Sequence, residues 1–408
     1  MRGLTAAQAA ALHHVRAAGR ARHATAVARI AAAIGAETTA SAATISAEAT
    51  ASAATIGWES TPSATAVSPP VSPATHVQHL VEQLTSLIRE HARVTLNFHP
   101  DRLLADGRTV AESLCSDGRY RSQYETGLSN GSRTAYTGGD RDGWEERLFG
   151  GAYHAPGVTA GERPRYGGLN LMKHPDGACP RYGSCHVRLR PAVHARATYC
   201  FGDSHVGPDD IGTIDAFAPV LAGLCETARD TGRILGVTGA DPVAVLHELP
   251  EPIRPVRNGR ALDEYIEVQV HGPVDLHRNA EALVLDPSFR GTRTGALLVA
   301  TAARHGLTVE WHEGFRLRAQ DLDDEFRGPV MRPLALRICA EFAGPDGLLD
   351  AQVLGRAAAS VVTDPQEWAE WGTQDEVLQY VKQLWHCLVQ FGEPDHRPAP
   401  PGGWSAKK

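Results

Sequence analysis

The sequence predicts an α+β fold whose core is antiparallel. From Gly118 to Gly212 the chain is dense in glycine, arginine and aromatic residues and has few helical periods, which is typical of short strands joined by long loops. Amphipathic patterns typical of helices precede this region at residues 76–91 and follow it after Pro333. We therefore expect a β-rich core, flanked by N-terminal and C-terminal helices, whose loops build a site.

Length and composition exclude several functional classes. At 408 residues the chain exceeds one ordinary domain, and a hydrophobic content of 42% is enough for a sizeable core. A formal net charge of −7 argues against nucleic acid as a partner bound by bulk electrostatics. The sequence has no apolar run of about 18 residues, so we expect no membrane span.

Residues 1–75 form a predicted extension and linker. Residues 1–34 are rich in alanine and arginine and place apolar residues such as Leu12 and Ile30 at helical spacing. Residues 36–57 are almost entirely Ala, Thr and Ser and repeat the heptapeptide TASAATI after eleven residues. A helical extension and a low-complexity linker both fit this composition.

The N-terminus and the cysteines indicate a compartment. His13, His14 and Arg16 interrupt the N-terminal segment, so it lacks the continuous apolar stretch of a Sec signal. The seven cysteines are scattered without a CxxC pair, which favours free thiols over a disulfide scaffold or a zinc site. We therefore expect a cytoplasmic protein, or one secreted by a route without a Sec signal.

The segment from Tyr265 to Pro273 predicts a strand that carries a carboxylate. Ile266, Val268 and Val270 alternate with polar residues, which is the period-two pattern of a half-buried strand. The polar residues are Tyr265, Glu267, Gln269 and His271. Such polar groups on one face favour the floor of a cleft, and an edge strand with a wet polar face is the alternative.

Other elements follow from the same patterns. Residues 94–98 predict a strand, which ends at His99-Pro100-Asp101-Arg102. Further strands are predicted at 167–171, 185–189, 197–201, 279–286 and 307–311, and further helices at 215–235, 295–305 and 376–391. Strand ends that line a cleft commonly hold ligand groups. His99 is suited to bond a ribose hydroxyl and Arg102 a phosphate, and a purely structural histidine is the alternative.

Residues 120–131 contain many kinds of hydrogen-bonding side chain. The polar residues of this segment include Arg121, Gln123, Glu125 and Thr126. Asn130-Gly131 predicts a turn. Such a loop is suited to wrap a polyhydroxylated, phosphate-bearing ligand, and a self-bonded surface loop is the alternative.

An Arg-Tyr-Gly repeat opens two of the predicted strands, at Arg165-Tyr166-Gly167 and Arg181-Tyr182-Gly183. The arginine is suited to bidentate contacts with a pyrophosphate, and the tyrosine to stacking on a flat ring. Two hairpin corners with cation–π pairs are the alternative. P-loop, GxSxG and HExxH motifs are missing from the sequence. The nearest candidates for a metal site, His271, His277 and His312-Glu313, lack the helical i, i+4 spacing, so we expect no metal.

Together these segments resemble a bacterial family long labelled as uncharacterised, which includes effectors that ADP-ribosylate a threonine of ubiquitin. The resembling segments, which run from about residue 94 to about residue 330, are Asn97–Arg102, Tyr120–Gly131, Gly138–Arg141, Leu148–His154, Arg163–Leu171, Phe201–Ser204 and Tyr265–Pro273. The resemblance implies an ADP-ribosyltransferase-like split antiparallel core with an NAD cleft, in a catalytic domain at 76–330. A C-terminal helical region at 331–408, with a flexible tail from about residue 394, completes the expected organisation.

The resemblance also implies roles for single residues. In ADP-ribosyltransferases one strand supplies an Arg or His, a second a Ser or Tyr, and a third a Glu. Glu267 matches the catalytic glutamate, and either His99 or Arg102 matches the first-strand residue. Ser184 is the expected second-strand residue, with Tyr166 as the alternative. The other residues expected to bind NAD are Arg121, Gln123, Thr126, Asn170 and Gln269.

The expected chemistry requires an ionised Glu267, which Gln269 or Arg102 would support as a hydrogen-bond donor. If a general base is used, it is Glu125 or Glu267. Tyr265 stands where the clostridial-toxin type carries Gln or Glu, which argues against arginine as the acceptor.

The resemblance thus predicts a mono-ADP-ribosyltransferase that uses NAD as substrate, with ubiquitin as the protein partner. An NAD glycohydrolase with water as acceptor and a noncatalytic nucleotide-binding module are the alternatives. The aromatic residues of the C-terminal region form either a docking surface for the acceptor or a helical core. These residues are Trp368, Trp371, Trp385 and Phe391.

Overall fold

The computed structural model of the protein describes residues 3–35, 73–127, 135–251 and 261–395. The Ala/Thr/Ser repeats, the turn predicted at Asn130-Gly131 and the tail after residue 395 lie outside these ranges. In the ranges described, every helix is too short or too polar to cross a membrane.

The centre of the fold is an eight-stranded mixed sheet. The described residues also form short strands outside this sheet. In chain order, all the strands are β1 Val94–Phe98, β2 Arg119–Tyr120, β3 Arg165–Leu169, β4 Cys185–Leu189, β5 Ala197–Phe201, β6 Ile211–Thr213, β7 Arg233–Ile234, β8 Val237–Thr238, β9 Ile266–Val270, β10 Val274–Asp275, β11 Ala280–Leu285, β12 Thr308–Trp311, β13 Leu317–Arg318 and β14 Leu348–Leu349. The sheet order is β12-β11-β4-β1-β3-β9-β5-β6, and β2 pairs separately with β10.

The helices lie around this sheet. In chain order they are α1 Ala6–Ala21, α2 at 23–35, α3 Pro73–His91, α4 Val110–Asp117, α5 Gln123–Thr126, α6 Asp140–Phe149, α7 Ala218–Thr231, α8 Pro242–His247, α9 Leu276–Asn279, α10 Arg293–His305, α11 Met331–Phe342, α12 Ala351–Thr363 and α13 Gln374–Phe391. The α+β class predicted from the sequence is confirmed.

The sheet differs from the wholly antiparallel core that the sequence predicts. Strands β11 and β12 pair in parallel, whereas the other neighbours in the sheet pair antiparallel. The reason is the connection through α10, because parallel neighbours need a crossover and a helix usually provides it. The eight strands also form one hydrogen-bonded sheet, whereas the split core implied by the resemblance consists of two small sheets.

Helices α1 and α2 pack against the core. Val15 of α1 is fully buried in an apolar cluster that includes Phe149 and Tyr153. Arg29 of α2 makes an ion pair with Asp210 at 2.6 Å and another with a glutamate of α7. Both helices of the predicted N-terminal extension are therefore part of the packed structure.

Each Arg-Tyr-Gly repeat contains a glycine that lets the chain approach β1 closely. A Cβ atom on Gly167 would lie 2.3 Å from the carbonyl oxygen of Thr95, and one on Gly183 would lie 2.2 Å from the carbonyl carbon of Phe98. Side chains do not approach backbone so closely, so only glycine fits. The repeat therefore places β3 and the turn before β4 directly against β1.

The C-terminal helices close the fold over the turn before β4. Trp368 and Trp385 are each 1% exposed, and the Trp385 indole N–H donates to the carbonyl oxygen of Pro180 at 2.7 Å. Both tryptophans are therefore core residues, which agrees with the helical-core interpretation and not with the docking-surface interpretation. Phe391, by contrast, is 36% exposed.

Candidate functional site

A cavity of about 350 Å³ opens where β1, β3 and β9 lie side by side. Its walls also include α4, α6 and one residue of α13. The predicted site residues that line it are His99, Arg102, Arg121, Gln123, Thr126, Tyr166 and Glu267. The size is within the range of roughly 300–1,000 Å³ that small-molecule sites occupy. The cavity is therefore the candidate functional site.

Glu267 lies in the cavity floor with both carboxylate oxygens engaged. The Gln269 side-chain amide donates to Oε1 at 2.6 Å, and the backbone N–H of Ser204 lies 3.5 Å from Oε2. Burial, and then the negative charge of Asp203, raise the pKa of Glu267 to about 7. The expected chemistry requires an ionised carboxylate, whereas this group changes its charge near neutral pH. Of the two donors expected to support Glu267, Gln269 and Arg102, it is Gln269 that makes the hydrogen bond.

Asp203 is the charge that faces Glu267. The Tyr265 hydroxyl donates to Asp203 Oδ2 at 2.7 Å, and the Tyr182 hydroxyl donates to the same Oδ2 at 3.0 Å. The two tyrosine hydroxyl oxygens lie 2.6 Å apart. Burial alone would raise the pKa of Asp203, but the hydrogen bonds from Tyr265 and His205 lower it to about 2. Asp203 is therefore ionised. Tyr265, two residues before Glu267, donates a hydrogen bond to the Asp203 carboxylate.

His99 and Arg102 both lie in the wall that follows β1. The His99 ring lies edge-on to Trp385, with centroids 5.1 Å apart. Burial, and then the charge of Arg102, hold the pKa of His99 well below its usual value. A neutral imidazole is suited to bond a hydroxyl group and a guanidinium to bind an anion, so the two residues have different chemical capacities in one wall.

Arg141 also lines the cavity, although it is not among the site residues predicted from the sequence. Its guanidinium lies between the rings of Trp144 and Tyr166, at 4.8 and 4.5 Å from their centroids. The side chain is 9% exposed, and its Nε and Nη1 have no hydrogen-bond partner among the described residues. Buried donors without partners are rare in folded proteins, so this guanidinium is suited to an acceptor group of a ligand.

Two more charged groups are also missed by sequence reasoning. Asp203 reaches the cavity from the loop after β5, and Lys382 reaches it from α13. Burial, and then the charge of Arg181, lower the pKa of Lys382 to about 8. The Gly-rich segment around Arg141 is the signal that could have led to that residue. Lys382 has no comparable signal, because only tertiary packing brings α13 to the sheet.

Four predicted site residues lie outside the cavity lining. Glu125 caps α5 and makes ion pairs with Arg119 and Arg165 at 2.8 and 3.0 Å. Asn170 holds a turn by donating to the carbonyl oxygen of His174 at 2.8 Å. The other two are Ser184 and Gln269.

The position of Ser184 follows from the sheet order. Ser184 is buried just before β4, and β1 separates β4 from β3 and β9. Tyr166 on β3, in contrast, lines the cavity, and its hydroxyl donates to Glu145 at 2.7 Å. Of the two residues expected on the second strand, Tyr166 lines the same cavity as Glu267 and Ser184 does not.

Replacing Asp203 by Asn is expected to lower the pKa of Glu267 from about 7 towards its ordinary value of 4.5. The negative charge of Asp203 favours the protonated carboxyl group, so its removal favours the ionised form at lower pH. The titration can be followed by the ¹³C shift of the Glu267 carboxyl carbon, assigned with Glu267→Gln. Asp209→Asn, at an exposed ion pair with Arg22, is the control. An unchanged pKa in Asp203→Asn would refute the coupling.

The comparison with protein families gives one result for this region. Residues 93–391 match the family described as "Protein of unknown function (DUF3626)". No curated protein matches the chain. The matched residues include β1, β3, β9 and α13, and therefore the whole cavity. Because the match covers more than half of the sequence, the chain belongs to the DUF3626 family.

Proposed function

We propose that this protein is a mono-ADP-ribosyltransferase, which transfers ADP-ribose from NAD to a hydroxyl group of a protein acceptor. One observation carries the proposal. The neighbouring strands β1, β3 and β9 deliver His99, Tyr166 and Glu267 to one cavity. This is the set of a basic, a hydroxyl-bearing and an acidic residue, each from its own strand, that the resemblance implies. The ADP-ribosyltransferase-like fold is part of the proposal.

The other residues of the cavity suit a dinucleotide. Arg102, Arg141 and Lys382 provide positive charge for the two phosphates, and Trp144 offers an aromatic ring near them. The unpartnered donors of Arg141 fit a ligand with several acceptor oxygens. The neutral His99 ring fits a ribose hydroxyl better than a phosphate.

In the proposed reaction the bond between nicotinamide and C1 of the ribose breaks, and nicotinamide leaves with the bonding electron pair. Positive charge develops on the ribose, much as in glycoside cleavage. The Glu267 carboxylate stabilises that charge and holds a ribose hydroxyl, because it is fixed by Gln269 at 2.6 Å before the reaction begins. The acceptor oxygen then bonds to C1 and loses its proton.

Glu267 is also the better candidate for the base that takes this proton. Glu125 is held in two ion pairs and a helix cap and lies outside the cavity lining. A carboxyl group with a pKa of about 7 has the basicity that suits a general base near neutral pH. Threonine of ubiquitin is the acceptor to test first, on the resemblance described above.

The test is incubation of the protein with NAD and ubiquitin, followed by intact-mass measurement. We expect ubiquitin to gain one ADP-ribose with the wild-type protein and none with Glu267→Ala. Glu313→Ala, which changes an exposed glutamate, is the matched control and is expected to behave as wild type.

The other outcomes separate the alternatives. Free nicotinamide with unmodified ubiquitin would indicate an NAD glycohydrolase or another acceptor. NAD binding without nicotinamide release would contradict the proposal and favour a noncatalytic nucleotide-binding module.

A further inference from the structure

We propose that a buried chain of hydrogen bonds behind the cavity positions the Glu267 carboxylate, and that Gln269, Thr198 and His271 are positioning residues. The chain runs along β5 and β9, away from the cavity. Gln269 Nε2 lies 2.6 Å from Glu267 Oε1, and Thr198 Oγ1 lies 2.6 Å from Gln269 Oε1. His271 Nε2 lies 3.0 Å from Thr198 Oγ1, and the Tyr153 hydroxyl lies 2.6 Å from His271 Nδ1.

The chain has one consistent direction when Glu267 is ionised. A carboxylate only accepts, so Gln269 must present its amide N–H to Glu267 and its carbonyl oxygen to Thr198. The Thr198 hydroxyl has one hydrogen, which it donates to Gln269, and its oxygen then accepts from His271 Nε2–H. Every donor in the chain therefore points towards the carboxylate.

The terminal groups fit the same direction. With its proton on Nε2, a neutral His271 accepts at Nδ1 from the Tyr153 hydroxyl. Burial, and then the charges of Arg196 and Arg165, lower the pKa of His271 to about 3, so the ring is neutral over the physiological range. A proton on Glu267 Oε1 would displace the Gln269 N–H from its charged acceptor and leave it the weaker acceptor Cys200 Sγ, 3.5 Å from Nε2, unless the whole chain reversed. The chain thus favours the ionised carboxylate.

The members of this chain are shielded from bulk solvent. Thr198, Gln269 and His271 have no exposed surface, and Tyr153 is 2% exposed. Helix α1 closes the far end, because its Val15 packs in the cluster that contains Tyr153. A buried network of this kind acts as a unit, so the loss of one member affects the others.

Other groups also face Glu267 and must be kept constant in any test. They are Asp203, Arg141, Cys179, Cys200, Tyr166, Tyr182 and Tyr265. Cys200 Sγ lies 3.5 Å from Gln269 Nε2, whereas the Thr198 hydroxyl contacts only Gln269 and His271 among the described residues. A variant at Thr198 therefore disturbs these groups least.

The test variant is Thr198→Val, which removes the hydroxyl group and keeps the shape. We expect the pKa of Glu267 to rise above 7, as measured by the ¹³C shift of its carboxyl carbon without any substrate. Nicotinamide release should then fall several-fold at pH 6 and return to the wild-type rate at pH 9. Thr198→Ser restores the hydroxyl and should restore the wild-type pH profile.

Thr301→Val is the matched control, because Thr301 is equally buried and its hydroxyl, among the described residues, bonds only to the carbonyl oxygen of Leu297 within α10. If Thr198→Val does not fold, Gln269→Met breaks the chain at the next link and is expected to raise the pKa likewise. A wild-type pKa for Glu267 in the folded variants would overturn the proposal.

The catalytic part of this inference rests on the proposed function, whereas the carboxyl pKa does not. A raised pKa in Thr198→Val, together with no nicotinamide release from any variant or from wild type, would uphold the chain and reject the transferase. ADP-ribosylation of ubiquitin, together with a pH profile of nicotinamide release that Thr198→Val leaves unchanged, would uphold the transferase and reject the chain.

Discussion

Glu267→Gln is expected to reduce nicotinamide release by about 100- to 1,000-fold, the usual effect of losing one preorganised electrostatic group at a reacting centre. The substitution removes the negative charge that stabilises the developing cation but keeps the shape of the side chain. Its amide oxygen can still accept from Gln269, so the fold should remain intact. Release is measured by chromatography at pH 8, where the wild-type carboxyl group is ionised.

The same substitution should raise stability at alkaline pH. The pKa of Glu267 is about 7 in the folded protein against an ordinary value of 4.5, so folding favours the protonated form. Wild type is thus destabilised progressively above pH 4.5, by at most about 3 kcal/mol above pH 7. Glu267→Gln carries no such penalty and should melt at a higher temperature than wild type at pH 8.

These two results together separate a catalytic role from a structural one. Glu313→Gln is the control for both measurements and should match wild type. A Glu267→Gln protein that is inactive and less stable at pH 8 would point to a structural role. Full activity in this variant would reject Glu267 as a catalytic residue.

A chain that begins at residue 75 is expected to lose its cooperative fold. It lacks α1 and α2, in which Leu12, Val15 and Ile30 are at most 1% exposed. Full burial of each such side chain contributes about 1.5–3 kcal/mol. Their sum is comparable to the whole stability of a typical domain, about 5–15 kcal/mol. Thermal denaturation followed by circular dichroism measures the loss.

The control keeps both helices and changes only the segment between them and α3. Replacing residues 36–72 by a Gly/Ser linker of equal length should leave the melting temperature and nicotinamide release unchanged. If the chain from residue 75 is as stable as the full protein, the packing of α1 and α2 contributes little.

Much of the local structure is predictable from the sequence. Strands β1, β4 and β5 have the predicted bounds, because alternating or continuous apolar runs end at clear breakers such as His99-Pro100. The carboxylate strand β9 is also found where the alternation places it. These features depend on neighbours in the sequence, so the sequence contains the necessary information.

The remaining parts of the site depend on packing between distant segments. The sequence cannot indicate that β3 lies between β1 and β9, and this order is what brings Tyr166 rather than Ser184 near Glu267. It cannot indicate that Asp203 faces Glu267 and shifts its pKa. Arg141 becomes notable only once the two rings around it are located.

The contact of α13 with the cavity has a consequence for synthesis of the protein. Lys382 of α13 lines the cavity, and Trp385 of the same helix packs against the His99 ring. Translation proceeds from the N-terminus, so all strands of the central sheet leave the ribosome before α13 does. The cavity wall is therefore incomplete until α13 has been synthesised and has packed against the sheet.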